Sequence, residues 1–69
     1  MQRNPVNSSN LVSVGYDPAT TILEVEFKNA NVYRYFDVST AVYRELMSAP
    51  SIGQFFNKYI RNTYRFEEL

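Results

Sequence analysis

The chain has 69 residues, of which seven are basic and seven acidic, so its formal net charge is zero. That length allows one domain, and the balanced charge argues against indiscriminate polyanion binding while leaving room for a local basic patch. Cysteine and histidine are both absent, which removes disulfides, thiol nucleophiles, the usual catalytic triads and nitrogen- or sulfur-ligated metal sites.

Residues 1 to 10 read as a flexible lead-in, polar and holding Pro5, with nothing periodic to bury. They lack the apolar run of a signal peptide, and no stretch approaches the roughly 18 apolar residues of a membrane span. A cytoplasmic location with no membrane partner is the expectation. A single domain is expected over residues 11–69. With 45% hydrophobic residues, including six tyrosines and five phenylalanines, it has the material for a dense core.

Leu11-Val12-Ser13-Val14-Gly15-Tyr16 is rich in β-formers and leads into Asp17-Pro18-Ala19-Thr20, where Pro18 suits the second position of a type I turn. A second strand, Thr21 to Lys28, alternates Leu23, Val25 and Phe27 with Glu24, Glu26 and Lys28, giving one core face and one wet face. Asn29-Ala30-Asn31 makes a three-residue hairpin connection, with asparagine suited to its left-handed position. The third strand is Val32-Tyr33-Arg34-Tyr35-Phe36. Pairing Lys28 with Val32 puts Phe27 opposite Tyr33, Glu26 opposite Arg34 and Val25 opposite Tyr35, so both tyrosines join the apolar face.

After Phe36 the period changes. Asp37 and Ser39 are cap candidates for a helix from Ala41 to Ala49 with Val42, Leu46 and Ala49 on one side, and Pro50 stops it. Ser51 can cap a second helix in which Ile52, Phe55, Phe56, Tyr59 and Ile60 form an unbroken helical stripe. The order βββαα predicts an α+β fold, a three-stranded antiparallel meander with two helices packed on one face. Its core is expected from Val12, Val14, Leu23, Val25, Phe27, Tyr33 and Tyr35, closed by Val42, Leu46, Ile52, Phe55, Phe56 and Tyr59.

The ordered set Ser8-Ser9-Asn10, Val14-Gly15-Tyr16-Asp17, Leu23-Glu24-Val25-Glu26-Phe27, Val32-Tyr33-Arg34-Tyr35 and Ala49-Pro50-Ser51-Ile52-Gly53, followed by Phe56-Asn57 and Ile60-Arg61, resembles the KTSC domain. That short domain is named for its occurrence at the C-terminus of some lysyl-tRNA synthetases and also occurs alone in small bacterial and phage proteins. The resemblance runs from about Ser8 to Arg65. It departs from the family pattern in lacking a glycine in Asn29-Ala30-Asn31 and a proline around Ser39-Thr40. It implies an accessory role, with RNA binding suggested by the synthetase context.

Chemistry has few candidates. Glu24 and Glu26 share a strand face about 7 Å apart, but beside Arg34 they read as a solvated salt-linked ladder rather than an acid/base pair. Gly15 and Gly53 lie too far apart for a phosphate loop. The expectation is a non-catalytic domain with no cofactor and no metal. For RNA, the candidate contacts are Lys58, Arg61, Tyr64 and Arg65, basic and aromatic residues interleaved at the end of the second helix; the plainer reading is that Lys58 and Arg61 complement the helix dipole. Tyr33 and Tyr35 invite comparison with base-stacking sheets, but the hairpin register makes them core. Gly53 and Asn57, spaced four apart with Arg61, are either a recognition edge or simply structural. The alternative function is a protein-interaction or homodimerising module using Ile22, Val32, Arg34 and Phe36 on the uncovered sheet face.

Overall fold

In the computed structural model, which describes residues 1–69, the chain order is β1 (Arg3–Pro5), β2 (Leu11–Asp17), β3 (Ile22–Phe27), β4 (Val32–Tyr35), α1 (Thr40–Ser48), α2 (Ile52–Phe55) running into a π-helical turn (Phe56–Ile60), and β5 (Phe66–Glu68). The strands form one antiparallel sheet in the order β1-β2-β3-β4-β5. The α+β class stands, but the three-stranded meander is corrected to five strands. The two missed strands have three residues each, too few to show a period, and β1 includes Pro5, which only an edge strand tolerates. They are held by the edges they pair with, not by their own propensity.

Each turn is built by a local acceptor. Asp17 takes the Ala19 N–H at 3.0 Å and the Thr20 hydroxyl at 3.0 Å, closing the first hairpin. In the second hairpin the three-residue loop is Lys28-Asn29-Ala30: the Phe27 N–H donates to the Asn31 carbonyl at 2.9 Å, and the Ala30 N–H to that of Phe27 at 2.9 Å. Asn29 holds this arrangement by accepting the Asn31 N–H at 3.1 Å, and Ala30 takes the left-handed position at φ 73°. The expected register is therefore corrected by two residues, to Leu23 opposite Tyr35, Glu24 opposite Arg34 and Val25 opposite Tyr33. A two-residue shift keeps every side chain on its face.

On the core face Leu11, Val14, Leu23, Val25 and Tyr35 are buried with Val38, Leu46, Phe56 and Ile60. Two expected members move. The register shift between Leu11 and Ser13 is a β-bulge, so Leu11 turns inward and Val12 is only half-buried. Tyr59 is 49% exposed, because the Arg61 N–H donates to the Phe56 carbonyl at 3.0 Å across a five-residue step. That wider turn aims Phe56 and Ile60 at the sheet and swings Tyr59 out of the stripe.

Helix placement follows from caps and one tyrosine. Ser39, rather than Asp37, caps α1 by accepting the Val42 N–H at 3.2 Å, and Ser51 caps α2 from Gln54 at 3.3 Å. The Tyr16 hydroxyl donates to the Val38 carbonyl, and its ring stacks on Tyr43 of α1 at 4.5 Å. No helix is long and apolar enough to cross a membrane.

Candidate functional site: an aromatic pocket at the end of the sheet

The strand alternation that makes Tyr33 and Tyr35 core-facing also lines them up with Phe27, and β5 then adds Phe66. Tyr33 meets Phe27 edge-on at 5.5 Å and Phe66 at 5.7 Å, while Tyr35 meets Phe66 at 5.6 Å and Phe56 edge-on at 5.2 Å. The helices cover Tyr35 but stop short of Tyr33, which is half-buried. A concave pocket of about 550 Å³ opens there, floored by Phe27, Tyr33, Tyr35 and Phe66. Its size is in the range of small-molecule sites.

The rim is polar and contains no carboxylate. Arg61 and Lys28 bring positive charge, and Asn10, Asn29 and Asn62 bring amides. Arg61 reaches the pocket because it follows the π turn directly. Burial pushes the Tyr35 phenol up, with the nearby Arg61 charge opposing and Tyr33 adding to the rise, so the hydroxyl keeps its proton well beyond neutral pH.

Asn10 is set by two neighbours. The Ser8 hydroxyl accepts the N–H groups of Asn10 and Leu11, each at 3.3 Å, and donates to Asn10 Oδ1 at 3.1 Å. Gly53 at the start of α2 lies against the same amide: a Cβ there would sit 2.2 Å from Asn10 Oδ1 and 2.9 Å from Ser8 Oγ. Gly53 is thus a glycine of close approach, and the stretch Ser8-Ser9-Asn10 is docked on α2 through it.

The KTSC domain profile matches residues 7–64 of this chain. The chain belongs to the KTSC family. The crystal structure of a KTSC domain protein from Yersinia pestis is similar at a TM-score of 0.95 and 37% identity, covering 99% of this chain and 96% of that one. An uncharacterized protein of Stutzerimonas stutzeri is 43% identical over 67 residues, 96% of this chain and 94% of that protein. A lysine–tRNA ligase of Nostoc sp. is 43% identical over 54 residues, 78% of this chain. The KTSC domain spans about a tenth of the length of the ligases it matches. It therefore occurs both inside lysine–tRNA ligases and as a nearly whole small protein.

In this KTSC domain the four residues of the expected RNA-binding stretch do not form one patch. Arg61 lies at the pocket with Tyr33 and Tyr35, and Tyr64 packs half-buried against the core. Lys58 is exposed, with its ammonium 5.3 Å from the ring of Tyr59, beside a shallower depression of about 240 Å³ that also touches Pro50 and Phe55. Arg65 is on the other side of the sheet, its guanidinium 5.0 Å from the Phe36 ring. Asn57 is exposed on the π turn, while Gly53 is buried against Ser8 and Asn10.

The outer sheet face does hold Ile22, Val32, Arg34 and Phe36, but two of them are engaged. Arg65 covers Phe36, and Arg34 Nε donates to Glu24 Oε1 at 3.0 Å. Glu24 is 3% exposed, not part of an open ladder, because Arg3 reaches over from β1 to its other oxygen. Gly15 lies between them in the row Arg3, Gly15, Glu24, Arg34, Glu67, and its missing side chain gives Arg3 the path. The sequence reading found Tyr33, Tyr35 and Arg61 separately. That Phe66, Asn10 and Asn29 would meet them at one pocket was not legible, since β5 and the loop register carry no periodic signal.

Proposed function

We propose that this KTSC domain is a non-catalytic binding module that holds single-stranded RNA, with the pocket at Arg61 as its contact site. The observation that carries this reading is the pocket's composition: aromatic rings for stacking, two cations for a phosphate and amides for a base edge, with the one carboxylate beside it, Glu68, accepting the Tyr33 hydroxyl at 3.3 Å. Relatives named lysine–tRNA ligases handle an RNA, which suits the same reading. Glu24, the buried carboxylate, is clamped by two arginines and so is unfit as a general base, which suits a binding role.

An NMR titration with single-stranded RNA tests it. Binding should perturb Tyr33, Tyr35 and Arg61, weaken steeply as salt rises, and fall strongly in Arg61→Ala. Alanine at Lys58 or Arg65 should cost far less. Undetectable binding at low salt overturns the proposal. Homodimerisation through Ile22, Val32 and Phe36 has less support, because the Glu24–Arg34 pair divides that face and Arg65 shields Phe36. Sedimentation showing a monomer at high concentration removes that alternative.

A further inference from the structure

We infer that the pocket selects one unpaired nucleotide whose base edge carries carbonyl oxygens, uracil or guanine, over adenine. This rests on the RNA reading above and sharpens it. What sets the preference is the end of each polar side chain that the fold has already used. The Ser8 hydroxyl accepts two backbone N–H groups and has one proton to give, so its partner on Asn10 is the acceptor Oδ1, and Nδ2 is the end left for a ligand. Asn29 is committed in the same way: its Oδ1 accepts the Asn31 N–H at 3.1 Å, leaving its Nδ2.

Arg61 and Lys28 are donors only. The Tyr35 hydroxyl keeps its proton and can donate it, and its oxygen is one of the few acceptors at the rim. The Tyr33 hydroxyl is turned to Glu68 Oε1 at 3.3 Å, outside the pocket lining, and Asn62 alone keeps both amide ends free. The rim is therefore rich in donors and poor in acceptors. Uracil presents O2 and O4, and guanine O6 and N7, to such a rim; adenine has no carbonyl oxygen and brings an amino group that needs an acceptor. Guanine offers O6 and N7 on an edge that carries no amino group, whereas cytosine's amino group flanks its acceptors on the only edge it has, so cytosine falls between. A phosphate satisfies Arg61 and Lys28 in every case, so it contributes affinity without choosing the base.

The experiment titrates the protein with the 5′-monophosphates of uridine, guanosine, cytidine and adenosine, with inorganic phosphate in parallel, following the amides of Asn10, Tyr35 and Arg61 by NMR. The expected result is binding of uridine and guanosine monophosphates about tenfold tighter than adenosine monophosphate, with phosphate alone much weaker. Asn10→Asp keeps an acceptor for Ser8 but replaces the Nδ2 donor with a carboxylate oxygen. It should lower the uridine-to-adenosine affinity ratio by about tenfold; taking the ratio cancels the repulsion its charge exerts on both phosphates. Equal affinity for the four nucleotides, phosphate binding as tightly as uridine monophosphate, or an unchanged ratio in Asn10→Asp each overturns the inference. If RNA binds and Arg61→Ala weakens it while no mononucleotide touches the pocket, the inference fails and the RNA reading stands. If neither RNA nor mononucleotide binds, both fall.

Discussion

Glu24 sits on the face that strand alternation marks as wet, yet it is nearly as buried as the core. Burial alone raises its pKa; the hydrogen bonds from Arg34 and Arg3, with their charges, outweigh that and hold it below the ordinary 4.5. A group depressed in the folded state contributes stability that is present above its unfolded pKa and lost as the pH falls through the folded one. Wild type should therefore lose stability on acidification below about pH 4.5. Glu24→Gln, with no proton to gain, should cost about 1–3 kcal/mol at pH 7, and the gap between the two should narrow as the pH falls. Urea denaturation from pH 7 to pH 3 reads both effects. Gly15 belongs to the same arrangement: a Cβ there would stand 2.7 Å from the Gln2 carbonyl oxygen, a backbone atom, so any side chain pushes β1 and its Arg3 away.

The second hairpin shows what a local element loses when a residue other than glycine takes a left-handed position. Ala30 occupies a left-handed position at φ 73°, the backbone region that favours glycine. That conformation costs an L-residue about 1–2 kcal/mol, against which glycine's freer unfolded state takes back roughly 0.4–1 kcal/mol. Ala30→Gly is expected to stabilise the domain by about 0.5–1 kcal/mol, read as a higher urea midpoint with an unchanged slope. β2, β3, β4 and both helices were legible in the sequence because each has a period or a cap: Leu23 to Phe27 alternate, and Ser39 and Ser51 stand where caps belong. The π turn was not legible. Tyr59 fits the α-helical stripe as well as Ile60 does, and only the five-residue hydrogen bond from Arg61 to Phe56 separates them.

At the scale of the molecule, the pocket depends on a strand that the core does not. No residue of Phe66 to Leu69 is buried, but Phe66 walls the pocket and Glu68 holds the Tyr33 hydroxyl. A chain ending at Arg65 should keep the fold, with a melting temperature lower by about 4–8 °C per kcal/mol lost, and should bind RNA much more weakly than the full chain. Heat denaturation and the RNA titration together check this; loss of the fold would show that β5 is needed for more than the site. The candidate site was legible only in pieces, since Arg61 and the Tyr33-Tyr35 pair meet through tertiary placement and Phe66 lies in a stretch with no pattern. The order β1-β2-β3-β4-β5 also bears on how the domain forms in time. The first four strands pair with sequence neighbours across short connections, whereas β5 returns to β4 with both helices in between. Closing that long loop is the least local pairing in the sheet, so the pocket is expected to assemble last, and in a refolding experiment ligand capture should report completed folding.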